Sequence, residues 1–167
     1  MVIAAQAFTE KAVGELKPGS LFLFRQQWAF MGERQAQDLE GERKEKVFVL
    51  LQGEHAGSIV RAPEGVSNYL TFAEPFGWFA AIEPGVLPKA DGQFPGSLVI
   101  SPGGLVIVGG EKDHWGDIDH FAFLLKGGEQ VQPPTDRFKR FLNWSVELCH
   151  TERPYISLGR ILDVAAS

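Results

Sequence analysis

The sequence predicts a mainly β fold, or a β-rich α+β variant of it. Two similar strand-rich halves would share one core in a barrel-like or sandwich arrangement, with one or two short helices. Three observations predict it. Pro18-Gly19-Ser20-Leu21 recurs as Pro95-Gly96-Ser97-Leu98, an offset of 95 − 18 = 77 residues. The same order of apolar runs, Gly stops and a charged insert follows each copy, and such a period is read before anything else because it sets the architecture. Between the copies, residues 62–89 carry Pro63, Pro75, Pro84 and Pro88 with Gly65, Gly77 and Gly85, and each Pro removes a donor and clashes with a preceding helical turn.

The elements follow in chain order. Glu10–Leu16 is a candidate short helix ended by the Pro18-Gly19 turn. Leu21–Phe24 and Trp28–Met31 are short, apolar and aromatic-rich, so they read as strands. Glu33–Lys46 mixes both charges and reads as a solvated loop or exposed short helix. Val47–Leu51 makes a third strand and Ser58–Arg61 a fourth, after the His55-Ala56-Gly57 turn. Tyr69–Ala73 and Trp78–Ile82 are strands of the punctuated region, and Ala90–Gln93 is the expected junction between halves 1–89 and 90–167.

In the second copy Leu98–Ser101, Pro102-Gly103-Gly104 and Leu105–Val108 form a hairpin with glycines where positive φ is needed. The first copy has Arg25-Gln26-Gln27 there, which lacks that chemistry and leaves a bend or one continuous strand open. Val47–Gly53 matches Phe121–Gly127, and the inserts before them differ in length, as exposed loops allow. Farther on, Tyr69-Leu70-Thr71-Phe72 aligns with Phe141-Leu142-Asn143-Trp144. Pro134-Thr135 and the spacing of Phe138, Phe141, Leu142, Ser145 and Cys149 suit a capped helix over about Asp136–Leu148. Leu142–Leu148 also alternates as a strand does; the helix is the expectation taken. Tyr155–Leu162 closes as a strand.

Halves this small bury strands poorly alone, so they are expected to share one hydrophobic core, with the Phe, Val and Leu runs facing it. The 167 residues are 44% hydrophobic and 22% charged, which suits a packed domain rather than disorder. Thirteen Phe against two Tyr points to aromatic core filling. A net charge of −5 argues against general binding to nucleic acid or anionic membranes. Cys149 is the single cysteine, the first residues lack a signal-peptide pattern, and no apolar run reaches the ~18 residues that span a bilayer. The expectation is a cytoplasmic protein of open oligomeric state.

The densest polar cluster, Asp113 to His120, offers His114, Asp117, Asp119 and His120 as ligands for a divalent metal. Its spacing matches no metal signature, and the first-copy counterpart has no histidine, so a solvated connection is the plainer reading. Cys149, His150 and Glu152 resemble an activated thiol only in sequence, because adjacent residues point apart; a buried structural Cys is preferred. No serine stands in a Gly-x-Ser-x-Gly elbow and no phosphate-binding Gly loop occurs. Arg137, Lys139, Arg140 and Arg153 could meet phosphates, but in an acidic chain they read as a solvated face. Tyr69, Phe72, Phe76, Trp78 and Phe79 are the candidate contact surface, since large exposed apolar areas mark binding sites. The functional expectation is a non-catalytic binding or structural module that contacts a protein partner or small ligand through this surface, without a cofactor. The alternative is a metal-dependent enzyme built on residues 113–120.

Overall fold

The computed structural model describes residues 5–36, 41–63, 67–83, 86, 88, 92–135 and 138–166. Among these residues a 3-10 turn at Ala5–Ala7 leads into fourteen strands. The first half supplies β1 (Phe8–Ala12), β2 (Leu21–Phe24), β3 (Gln27–Ala36), β4 (Arg43–Leu50), β5 (Ile59–Arg61), β6 (Asn68–Phe72) and β7 (Phe76–Ala81). The second supplies β8 (Leu98–Ser101), β9 (Gly104–Lys112), β10 (Ile118–Leu124), β11 (Gln130–Val131), β12 (Arg140–Phe141), β13 (Asn143–His150) and β14 (Gly159–Ala165). They form three antiparallel sheets, ordered β1-β6-β2-β3-β4-β5, β11-β10-β9-β8-β12 and β14-β13-β7. The sheets pack as a sandwich around a shared core. No barrel closes among the described residues.

Apart from β1, the two large sheets have the same strand order, β6-β2-β3-β4-β5 against β12-β8-β9-β10-β11. The agreement extends to single bonds. Gly19 N–H donates to Met31 O at 2.7 Å, and Gly96 N–H to Val108 O at 2.7 Å. Leu51 N–H donates to Trp28 O, and Leu125 N–H to Leu105 O, both at 2.9 Å. Between the halves the contacts are reciprocal: Glu33 N–H donates to Gly128 O at 2.8 Å, and Gly110 N–H to Gly57 O at 2.9 Å. Gly57 (φ 84°) lies so close to Pro95-Gly96 that a β-carbon would strike their backbone, and Gly128 (φ 66°) presses in the same way on Pro18-Gly19. Each half thus clasps the other's Pro-Gly turn.

The long apolar runs are buried on both faces, which is why they do not alternate. Leu21, Phe30 and Val49, with their counterparts Leu98, Ile107 and Phe123, point into the shared core. Their neighbours turn outward into two satellite clusters instead. Phe22, Ala29, Met31 and Phe48 form one, and Val99, Val106, Val108 and Ala122 hold corresponding places in the other. This corrects the expectation that every run faces the interior.

Several expected elements differ. Glu10–Leu16 is not helical: β1 pairs with β6 from Phe8↔Phe72 to Ala12↔Asn68, and a turn follows. Glu33–Lys46 is largely ladder, since β3 and β4 pair out to Ala36↔Arg43 and cross-strand pairs hold the charges. Arg25 (φ 48°) and Gln26 (φ 64°) do bend the chain, both left-handed as a type I′ turn requires. The helix expected over Asp136–Leu148 is the pair β12 and β13, with residues 136 and 137 outside the described set. Alternation prevailed there because β13 is the central strand of its sheet, hydrogen-bonded on both edges. The expected closing strand begins at Gly159 rather than Tyr155. The ladders also align Phe72 with Phe141, because Leu21 and Leu98 both start β-strands whose partners follow that register. The distal match is therefore displaced by three residues from Tyr69–Phe72 against Phe141–Trp144. Residues 90 and 91 of the expected junction lie outside the described set.

Candidate functional site

The five aromatic candidates divide among different environments. Tyr69 packs on Phe22, Phe24 and Phe48 in an outer cluster. Phe72 is buried and stacked on Trp28, ring centroids 5.6 Å apart. Phe76 meets His150 edge-on at 6.1 Å. Trp78 and Phe79 alone reach a common groove, and they do so from opposite faces of β7. Trp78 turns inward, its ring edge-on to Phe30 at 6.1 Å, and its indole N–H donates to Gly19 O at 3.2 Å. Phe79 turns outward and meets Tyr155 at 5.8 Å. Tyr155 itself is 78% exposed, and Ile156 and Leu158 beside it are exposed too.

The groove, about 790 Å³, is walled by Trp78-Phe79-Ala80 on one side and by Pro18-Gly19-Ser20 and Leu125-Lys126-Gly127 on the other. Three consecutive strand residues point alternately up and down. The hollow touches all three. β7 pairs with β13 on one edge, and no ladder forms on its other edge among the described residues. Sequence reasoning found the aromatic pair. It missed Tyr155 and the Pro-Gly wall, which lie far from β7 in the chain.

A second, polar cavity of about 650 Å³ lies where β3 meets β9 and β10. Arg34 forms its floor, 6% exposed, with Nε 2.6 Å from Glu45 Oε1 and Nη1 2.5 Å from Glu111 Oε2. Its guanidinium also lies 4.7 Å from the centroid of the Phe121 ring. Burial disfavours the Arg34 charge, but the hydrogen bonds it donates to Glu111 and Glu45 outweigh that and hold the group above its ordinary value. Glu45 and Glu111 together accept three hydrogen bonds from this cation, which ties β3 of the first half to β9 of the second.

Of the metal candidates, His114 is exposed in the β9–β10 turn, its ring tilted against that of Trp115 with centroids 4.3 Å apart. Asp117 closes that turn through its backbone: Asp113 Oδ1 accepts from the amides of Trp115 at 2.8 Å and Asp117 at 2.9 Å. Asp119 and His120 lie on β10, opposite Glu111 and Gly110. Among the described residues no three His, Cys, Asp or Glu side chains converge as a metal site requires.

Cys149 is buried, and burial raises its thiol against a weaker lowering by the Tyr155 backbone amide, which keeps it protonated. His150 Nδ1 accepts from the Glu152 amide at 3.3 Å. Arg140, read from sequence as part of a solvated face, is fully buried, and its Nη2 donates to Pro134 O at 3.3 Å. The β8–β12 pairing draws it in. Arg137 lies outside the described residues.

Beside Cys149, Glu147 is buried, which opposes its charge, yet its folded-state value is lowered. Hydroxyl donors Ser157 and Ser145 at 2.7 and 2.8 Å and Arg160 Nε at 3.0 Å outweigh the burial. This cluster fastens β14 to β13. Among the described residues no helix is long and apolar enough to cross a membrane. No family model, no curated protein and no solved structure matches the chain.

Proposed function

We propose that this chain is a non-catalytic binding module that holds a protein partner in the groove beside β7. One observation carries the reading: an apolar strand edge, with Trp78, Phe79 and Ala80 all accessible, opens into a hollow large enough for several side chains. The adjoining Tyr155 supplies the amphipathic aromatic contact that interfaces favour. In this reading the halves 1–89 and 90–167 descend from one duplicated unit, which the paired strand orders support. A cytoplasmic location accords with the lone, buried Cys149.

The test is binding of an environment-sensitive apolar dye and of an array of ten-residue peptides, compared between wild type and Phe79→Asp. The expected result is retention by the wild type, weakened about tenfold or more in the variant, whose fold is checked by circular dichroism. Equal retention by both proteins rejects the groove. Stoichiometric metal in the purified protein, lost in His120→Ala, would replace this reading with the metal-dependent enzyme.

A further inference from the structure

Among the described residues the corresponding halves part company in the third sheet, as they do at β1 in the first. β7 and β13 pair antiparallel with Ala80 opposite Val146, and Trp78 and Trp144 each stand two residues before that pair. Both indoles donate to the carbonyl of a Pro-Gly-Ser turn, Trp78 to Gly19 at 3.2 Å and Trp144 to Gly96 at 2.9 Å. β7 and β13 are therefore equivalents. β13, however, carries β14 on its outer edge, in the register Trp144↔Val164, Ser145↔Asp163, Val146↔Leu162. The corresponding edge of β7 carries nothing among the described residues. Ala166, just beyond β14, lies 3.4 Å from where a β-carbon on Gly96 would stand, whereas the neighbours of Gly19 belong to the Leu125–Gly127 turn.

The burial follows suit. Trp144, Val146 and Leu148 on β13 are sealed into the core, while Trp78, Ala80 and Ile82 in the β7 stretch stay half-exposed. Burying such surface contributes roughly 25 cal/mol per Å², and open strand edges recruit strands.

We propose that the groove receives an extended segment of a partner protein, added as a strand antiparallel to β7 in the place that β14 holds on β13. This deepens the proposed function and rests on it. β14 supplies the template for the occupant. The residues opposite Trp78 and Ala80 are apolar and inward, as Val164 and Leu162 are, at 1% and 6% exposure, and the residue between them is polar and outward, as Asp163 is. The added strand continues the β14-β13-β7 sheet. Exposed Lys126 at the groove favours an acidic side chain on the segment. Backbone hydrogen bonds would supply affinity and the alternating side chains specificity, the general logic of strand addition.

The test titrates the full chain with a synthetic peptide of residues 157–166, followed by Trp fluorescence and by hydrogen exchange of the β7 amides. Two control peptides are run beside it: one N-methylated at alternate amides, one with Leu162 and Val164 replaced by Asp. The expected result is protection of alternate amides over residues 77–82, with both controls binding at least about tenfold more weakly. Equal binding of the N-methylated peptide overturns strand addition while leaving the groove a binding site. Retention of the apolar dye without any peptide has the same meaning. Failure of the dye and of all peptides overturns the binding reading as well. A dimer in light scattering whose β7 protection is lost on dilution overturns the foreign partner in favour of a second copy.

Discussion

The clasp between the halves can be broken at single atoms. Gly57 and Gly128 combine two demands, a left-handed backbone and backbone-to-backbone contact with the opposite Pro-Gly turn. An alanine at either place pays for the first with about 1–2 kcal/mol of left-handed strain. It adds about 1–3 kcal/mol of overpacking, because the atoms it meets are backbone and cannot rotate away. Gly116 separates these effects: its φ is 92°, yet nothing lies within 4 Å of the position of its β-carbon. Gly116→Ala should therefore cost about 1–2 kcal/mol and each clasp substitution about 2–5 kcal/mol. For a chain of this length that is a drop of about 2–8 °C against about 4–20 °C in Tm. Urea unfolding followed by Trp fluorescence measures all three. If Gly57→Ala and Gly128→Ala unfold no more easily than Gly116→Ala, the halves do not meet through these turns.

Three further outcomes are expected. Trp144→Phe should cost about 1–3 kcal/mol, because it strands the buried Gly96 carbonyl, and Trp78→Phe less than half of that beside an open groove; paired urea curves decide, and equal costs would contradict the difference in burial. Arg34→Met should destabilise by about 1–3 kcal/mol by removing the cation between Glu45 and Glu111, where Arg61 is a more distant partner of Glu111 at 3.9 Å, and Glu111→Gln combined with it should restore part of the loss. Glu147 has a folded-state value below its unfolded one, so its charge stabilises the fold above the ordinary carboxylate range, and that stability is lost as pH falls through the lowered value. The Tm gap between wild type and Glu147→Gln should thus be widest near neutrality and close in acid; a gap constant down to pH 2 would refute it.

The β class and the recurrence of apolar runs were legible because such runs and turn residues are local signals. Pro-Gly-Ser-Leu marked the turn that opens an apolar strand in each half, but nothing local marked the clasp those turns enter. What escaped was non-local. Trp144 and Leu148 fit a helix and a strand equally until β7 and β14 are known to flank them. Arg25-Gln26 gives no turn chemistry, yet the β2–β3 ladder forces both residues left-handed. Of the candidate surface, only Trp78 and Phe79 share the groove, because Tyr69 and Phe72 spend their rings on neighbouring Phe and Trp side chains. Arg140 looked like a surface cation, and nothing around it in sequence marks its burial.

Arg34 and Glu111 hold corresponding places, 77 residues apart, and yet they bind each other. Where a twofold relation brings a position against its own counterpart, two separate identical chains would have to set like against like, guanidinium facing guanidinium or carboxylate facing carboxylate. Carrying both positions on one polypeptide removes that obligation. The join can then be cationic on one side and anionic on the other, an attraction closed to any pair of interchangeable subunits.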